Sequence, residues 1–162
     1  MKRLVKFLKD DLPLVMACVT LVASVVLATV NAICRYTLSH MIPGADAWVA
    51  LFFAYTVYVG SAAAFKHGAH YGVDVFVDKL SDKNKKIVQA IVDVIVLIVM
   101  CLCFWLSVQL TMNAGNKRFE GLGMSYVIYD MSAVIGFGYS IIYAVEFLIA
   151  DVKKLLKKEE TV

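Results

Sequence analysis

The stretch LPLVMACVTLVASVVLATVNAIC, residues 12–34, decides the fold, because it runs for 23 residues without a charged side chain. A helix needs ~20 mostly apolar residues to cross the hydrocarbon core of a bilayer. Residues 47–65 and 94–116 meet the same condition, and residues 121–150 meet it if two acids are tolerated. We therefore predict an all-α integral membrane protein. It forms a single membrane domain over residues 1–162, with approximate spans 12–35, 46–66, 87–113 and 125–150.

The basic residues predict how these spans are oriented. Of the 16 Lys and Arg residues, 13 lie in three segments, residues 1–9, 66–86 and 153–158. Cytoplasmic loops accumulate Lys and Arg, so the pattern predicts cytoplasmic N and C termini and a cytoplasmic middle loop. Residues 1–9 alternate basic and apolar side chains, which favours a short helix lying in the inner membrane interface.

The composition argues against a soluble domain, a nucleic-acid-binding protein and a zinc site formed by the cysteines. A chain with 61% hydrophobic and 18% charged residues is not an ordinary soluble domain. Its net charge of +3 comes from the three basic segments, which suit anionic lipid headgroups. These segments do not form a basic stripe interleaved with aromatic residues, so we expect membrane lipids as partners and no nucleic acid. The four cysteines all fall in apolar spans without zinc-site spacing, and we interpret them as packing residues.

The sequence does not assemble a recognisable catalytic site. It contains neither a G-x-S-x-G element nor a phosphate-cradling glycine loop. We expect no enzymatic activity and no cofactor. His67, His70 and Asp74 are spaced so that a helix would present them on one side, where imidazole and carboxylate groups suit zinc. A solvated cytoplasmic cluster is the interpretation that we favour.

Acidic residues inside a membrane span are functional candidates by default, so their depth matters. In a helix over residues 125–150, Asp130 and Glu146 each lie about 12 Å from the centre, near the edge of the hydrocarbon core. Asp93 is similarly close to the end of the third span. We interpret all three as interface or helix-pairing residues rather than as a proton pathway.

Small residues recur at four-residue intervals in the first and fourth spans. This spacing places them on one helix face, where they allow another backbone to approach closely. We therefore predict a packing face on each helix. The first is formed by Thr20, Ser24, Ala28 and Ala32, and the second by Ser132, Gly136, Ser140 and Ala144.

Three segments carry a specific family pattern: NAICRY at residues 31–36, VGSAAAFKHGAH at 59–70 and VDVFVDKL at 73–80. Together with the four spans and the chain length, they resemble the small membrane subunit, the Q subunit, of tripartite ATP-independent periplasmic (TRAP) transporters. The residues that match the family motifs are Asn31, Arg35 and Tyr36, then Gly60 and Ala64, then Lys66, His70, Val73 and Asp74. The family's Trp-x-Glu-Glu element is replaced by GADA at residues 44–47, where only Asp46 keeps an acid.

The resemblance implies a role in transport. In such transporters a periplasmic binding protein captures the ligand, often an organic acid, and a large multi-span subunit carries it inward, driven by sodium. The small subunit is similar to a scaffold in the bacterial inner membrane and has no substrate site of its own. The matched motif residues and Asp46 then become candidates for the subunit interface.

Two other classes stay open at this point. An autonomous four-helix exporter would need an acid in the middle of its first span, and a membrane-anchor subunit of a respiratory complex would need histidines inside the membrane. Neither feature is present in the sequence.

Overall fold

The computed structural model of the chain describes residues 11–38, 40, 42–68, 82–115, 117–118 and 123–159. Within these ranges it contains four α-helices, which we number α1 (Leu12–Thr37), α2 (Ala45–Gly68), α3 (Asp82–Asn113) and α4 (Val127–Glu159). Each is long and apolar enough to cross a membrane. The prediction of an all-α protein with four membrane-spanning helices is confirmed. The interfacial helix predicted for residues 1–9 lies outside the described residues.

Local sequence explains where the helices begin and end. Pro13 lies in the first turn of α1. A backbone N–H at this position would have no acceptor within the helix, so proline removes no hydrogen bond there. Gly44 precedes α2 with φ 76°, a conformation that other residues rarely adopt. The helices α3 and α4 extend beyond the predicted spans, because the Lys-rich segments at residues 82–86 and 153–159 are good helix formers and continue the helix past the apolar stretch.

The order of the helices in space differs from their order in the chain. Among the described residues, the extensive helix contacts are those of α1 with α2, α2 with α4, and α4 with α3. The helices therefore lie side by side as α1–α2–α4–α3. In this row α2 and α4 each have two neighbours, whereas α1 and α3 form the two edges.

The buried fraction of each helix follows from its position in this row. In the most apolar part of α3 only 6% of the residues are buried, against 28% in α2 and in α4. The corresponding value for α1 is 17%. Most large side chains of α1 and α3 are consequently exposed in the isolated chain, and burial is greatest in the central pair, α2 and α4.

Candidate functional site: helix contacts and connecting turns

Helices α2 and α4 approach each other closely at Gly136. A Cβ atom built on Gly136 would lie 2.5 Å from the carbonyl oxygen of Tyr58 and 2.7 Å from its carbonyl carbon. Real Cβ atoms essentially never approach another atom so closely, so only glycine allows the two backbones to meet here. On the same face of α4, Ser132, Ser140 and Ala144 are almost completely buried. All four small residues of the α4 stripe thus lie inside the protein.

Larger side chains and one hydrogen bond extend this contact along both helices. The rings of Tyr58 and Phe137 lie 5.9 Å apart between their centroids. Near the start of α4, the Tyr55 hydroxyl donates a hydrogen bond of 3.1 Å to the carbonyl oxygen of Ile128. Aromatic pairs of this geometry add to the energy of simple burial. The α2–α4 contact is therefore fixed at several levels of the membrane.

The α1–α2 contact uses only part of its predicted stripe. Thr20 shares a 2.9 Å hydrogen bond with Thr56 on α2, and Ser24 is buried. Farther along α1, Ala28 and Ala32 are exposed.

The geometry of the helix explains why the two stripes differ. A four-residue step turns a straight α-helix by about 40° beyond one full turn, so a stripe at this spacing winds slowly around the helix. On α4 the winding stripe stays covered, because that helix has a neighbour on two sides. On α1, which has one extensive neighbour among the described residues, the same winding carries the stripe out of contact.

The first family motif contributes to the turn between α1 and α2, residues 38–44. The Asn31 side chain donates a 2.9 Å hydrogen bond to Asp46 Oδ1. Its own Oδ1 accepts a hydrogen bond from the backbone N–H of Ile42 at 3.3 Å. One amide thus joins the end of α1, the turn and the start of α2. Arg35 and Tyr36, the other residues of the motif, are exposed.

The second and third motifs lie toward the other end of α2. Gly60 faces α1, where an added Cβ would lie 3.3 Å from the Cβ of Ala17. Ala64 is exposed. The Lys66 ammonium lies 5.6 Å from the centroid of the Tyr143 ring on α4, a cation–π arrangement. The remaining motif residues, His70, Val73 and Asp74, and the side chain of His67 lie outside the described residues.

The acids of the membrane spans occupy three different environments. Asp130 is only 8% exposed, at the beginning of α4. Asp93 is partly buried, and Glu146 is exposed. Across the part of the chain that the structure describes, no three His, Cys, Asp or Glu residues come together as a metal site.

Three residues central to these contacts were missed by the sequence analysis: Thr56, Tyr58 and Tyr143. Tyr143 is 1% exposed and directly precedes the last member of the α4 stripe, so extending that stripe to its neighbours would have found it. Thr56 and Tyr58 carry no such signal. Their importance comes from facing Thr20 and Gly136 on other helices, and the sequence does not give those pairings.

Comparison with known proteins decides the family. The family model described as tripartite ATP-independent periplasmic transporters, DctQ component, matches residues 24–154. This range contains all of α2 and α3, α1 from Ser24 onward, and α4 as far as Lys154. The chain belongs to the DctQ family. As a member of this family it is a transporter component, and the resemblance noted in the sequence is confirmed. No curated protein matches the chain significantly.

For a component of this transporter family, we interpret the observed contacts as contacts of helix assembly. They comprise a glycine at a backbone contact, a hydrogen bond between two threonines, and an amide that fixes a turn. The four apolar helices and the family together identify a multi-pass membrane protein.

Proposed function

We propose that this DctQ-family chain is the small subunit of a sodium-coupled, binding-protein-dependent secondary transporter for organic acids. In this role it scaffolds the large multi-span subunit in the bacterial cytoplasmic membrane and holds no substrate site of its own. Its termini lie in the cytoplasm, and its two other connections face the periplasmic binding protein. The observation that carries the proposal is the family match over residues 24–154.

The polar groups within the spans support a scaffold role. Ser24 donates a hydrogen bond to the carbonyl oxygen of Leu21, and Ser140 donates one to that of Gly136. Such bonds to the preceding turn satisfy a hydroxyl within its own helix. The hydroxyl groups are therefore used in packing, and residues 12–34 and 47–65 contain no charged residue with which to bind a sodium ion or a carboxylate.

The exposed half of the α1 stripe supports a specific docking face for the large subunit. Ala28 and Ala32 are exposed on α1, beyond the region where α2 covers the stripe. Small side chains let a neighbouring helix approach closely, which is the main source of helix association within lipid. Arg35 and Tyr36 extend this face toward the α1–α2 turn, and Tyr36 is 83% exposed. We assign Ala28, Ala32, Arg35 and Tyr36 to contact with the large subunit.

The opposite edge of the row differs in one respect, since the described residues of α3 include no exposed pair of small residues spaced like Ala28 and Ala32. The exposed residues of α3 are mostly large and apolar, including Ile98, Leu102 and Leu106. Such side chains are as well solvated by lipid tails as by another protein. The α3 edge is accordingly assigned to lipid, and the α1 edge to the partner subunit.

Reconstitution tests the function itself. Purified alone in liposomes, the chain should carry no organic acid under a sodium gradient. Uptake should require addition of a large multi-span subunit and of a binding protein. Transport by this chain alone, abolished by Asp130→Asn or Glu146→Gln, would contradict the scaffold role and favour an autonomous exporter.

Substitutions on the two edges test the docking face separately. Ala28→Leu and Ala32→Leu place large side chains where we expect a partner helix, so they should reduce co-purification with the large subunit. Cys101→Leu is the matched control, because Cys101 is a small exposed residue on α3. Equal co-purification of all three variants would refute the assignment of α1, while leaving the family role intact.

A further inference from the structure

A half-open cleft lies where α3 ends and α4 begins. Its volume is about 740 Å³, within the ~300–1,000 Å³ of typical small-molecule sites. Its polar lining comes from Asn113 on α3, Lys117 and Arg118 in the connection, and Tyr126 and Asp130 at the start of α4. Nothing in the assembly contacts described above accounts for this concentration of polar groups.

Backbone hydrogen bonds hold the two cations at the rim of the cleft. The carbonyl oxygen of Lys117 accepts a 3.0 Å hydrogen bond from the N–H of Tyr126. Arg118 pairs with Ser125 in an isolated antiparallel bridge, and its Nη1 donates to the carbonyl oxygen of Gly123 at 3.4 Å. Because a guanidinium has five N–H donors, this single bond leaves Arg118 able to bind an anion as well.

The cleft also contains an acidic side chain. The Asp130 side chain lines it and is 8% exposed. Lys117 lines the same cleft. Burying an ionised carboxylate is costly unless it is paired and hydrogen-bonded. A ligand that suits all three groups has an anionic part for Lys117 and Arg118 and a cationic N–H donor for Asp130.

An apolar track leads away from the cleft along α3. Leu110 is part of the cleft lining, and it continues a series at four-residue intervals toward the middle of the helix. The members Ile98, Leu102, Leu106 and Leu110 are 55%, 58%, 61% and 56% exposed. A ligand whose charged end occupies the cleft could therefore lay an acyl chain along this track.

We propose that this cleft binds a phospholipid whose headgroup contains a phosphate and a primary amine. The phosphate lies against Lys117 and Arg118, the ammonium group donates to Asp130, and one acyl chain follows the α3 track. A soluble phosphorylated amine offers the same two charges, but it would leave the track uncovered. A choline headgroup has no N–H donor, and a glycerol headgroup has no positive charge.

Native mass spectrometry of the full chain in detergent tests the proposal with phosphatidylethanolamine, phosphatidylcholine and phosphatidylglycerol as probes. A hydrogen bond to a charged group is stronger than one between neutral groups, so the ethanolamine lipid should bind at least ~10-fold more tightly than the choline lipid. Asp130→Asn removes the charge but keeps an oxygen acceptor, so it should reduce this preference. The double variant Lys117→Gln/Arg118→Gln should weaken binding of all three lipids.

The controls separate this site from general lipid binding. Lys153→Gln removes an exposed cation from α4 and should change none of the affinities. Lys117 and Arg118 are exposed, so their double variant gives a result even if the buried Asp130 variant fails to fold. Equal binding of the ethanolamine and choline lipids by the unmodified chain would overturn the proposal, and so would unchanged lipid binding by the double variant. Effective competition by soluble glycerophosphoethanolamine would overturn the assignment to a lipid.

Discussion

Replacing Gly136 with alanine gives the most direct test of the α2–α4 contact. The added methyl group would lie 2.5 Å from the carbonyl oxygen of Tyr58, whereas non-bonded carbon contacts are most favourable at about 3.5–4.0 Å. The obstacle is backbone, so the two helices must separate locally by about 1 Å. Overpacking of this kind costs ~1–3 kcal/mol, partly offset by the ~1 kcal/mol by which alanine favours a helix over glycine.

Gly138→Ala provides a matched control two residues farther along the same helix. There the added Cβ would lie 3.7 Å from the Phe104 ring, an ordinary contact. Both variants gain the same helix propensity, so the difference between their unfolding free energies isolates the overpacking cost. We expect Gly136→Ala to be less stable than Gly138→Ala by ~1–3 kcal/mol. A titration with denaturing detergent, followed by circular dichroism, measures this difference. Equal stability of the two variants would refute the close approach of α2 and α4.

Other contacts predict smaller or more local effects. Thr56→Val removes the hydroxyl bonded to Thr20, and it should lower the unfolding free energy by about 0.6 kcal/mol in the same titration. Asp46→Ala removes the acceptor that joins α2 to α1, so limited proteolysis of the α1–α2 turn should be faster than in Asp46→Asn, which keeps an oxygen acceptor. In a cysteine-free chain, a cysteine at Ser81 should resist an impermeant thiol reagent in intact cells, whereas one at Asn116 should react. Labelling at position 81 from outside would contradict the predicted orientation.

The helices could be predicted from the sequence because length and hydrophobicity are local properties. Residues 12–34 have to form a membrane helix wherever that helix packs. Their neighbours could not be predicted in the same way. The stripes that contain Ala28 and Gly136 have identical spacing, yet one ends exposed and the other is buried throughout. The difference depends on how many helices lie beside each one, which is a property of the whole fold.

The same difference between local sequence properties and long-range contacts holds for the candidate site. The family motif singled out Asn31 from the sequence, but its partner could not be inferred. Asp46 stands where GADA replaces the family's acidic pair, and as a candidate for the subunit interface it had no assigned role within the chain itself. The hydrogen bond between Asn31 and Asp46 supplies one, since it fixes the α1–α2 turn. Asp130 was correctly placed near the end of its span, but the two cations beside it depend on how the connection folds back.

The helix order α1–α2–α4–α3 also has a consequence for synthesis at the ribosome. Chains emerge N terminus first, at ~5–20 residues per second, so α1 and α2 can pair as soon as both are in the membrane. The next helix, α3, then has no extensive native neighbour, because its partner is α4. When α4 is released, it has to insert between two segments already present and complete two of the three main interfaces at once. A nascent chain that stops before α4 is therefore left with a hairpin and a solitary helix, a state suited to recognition by membrane quality control.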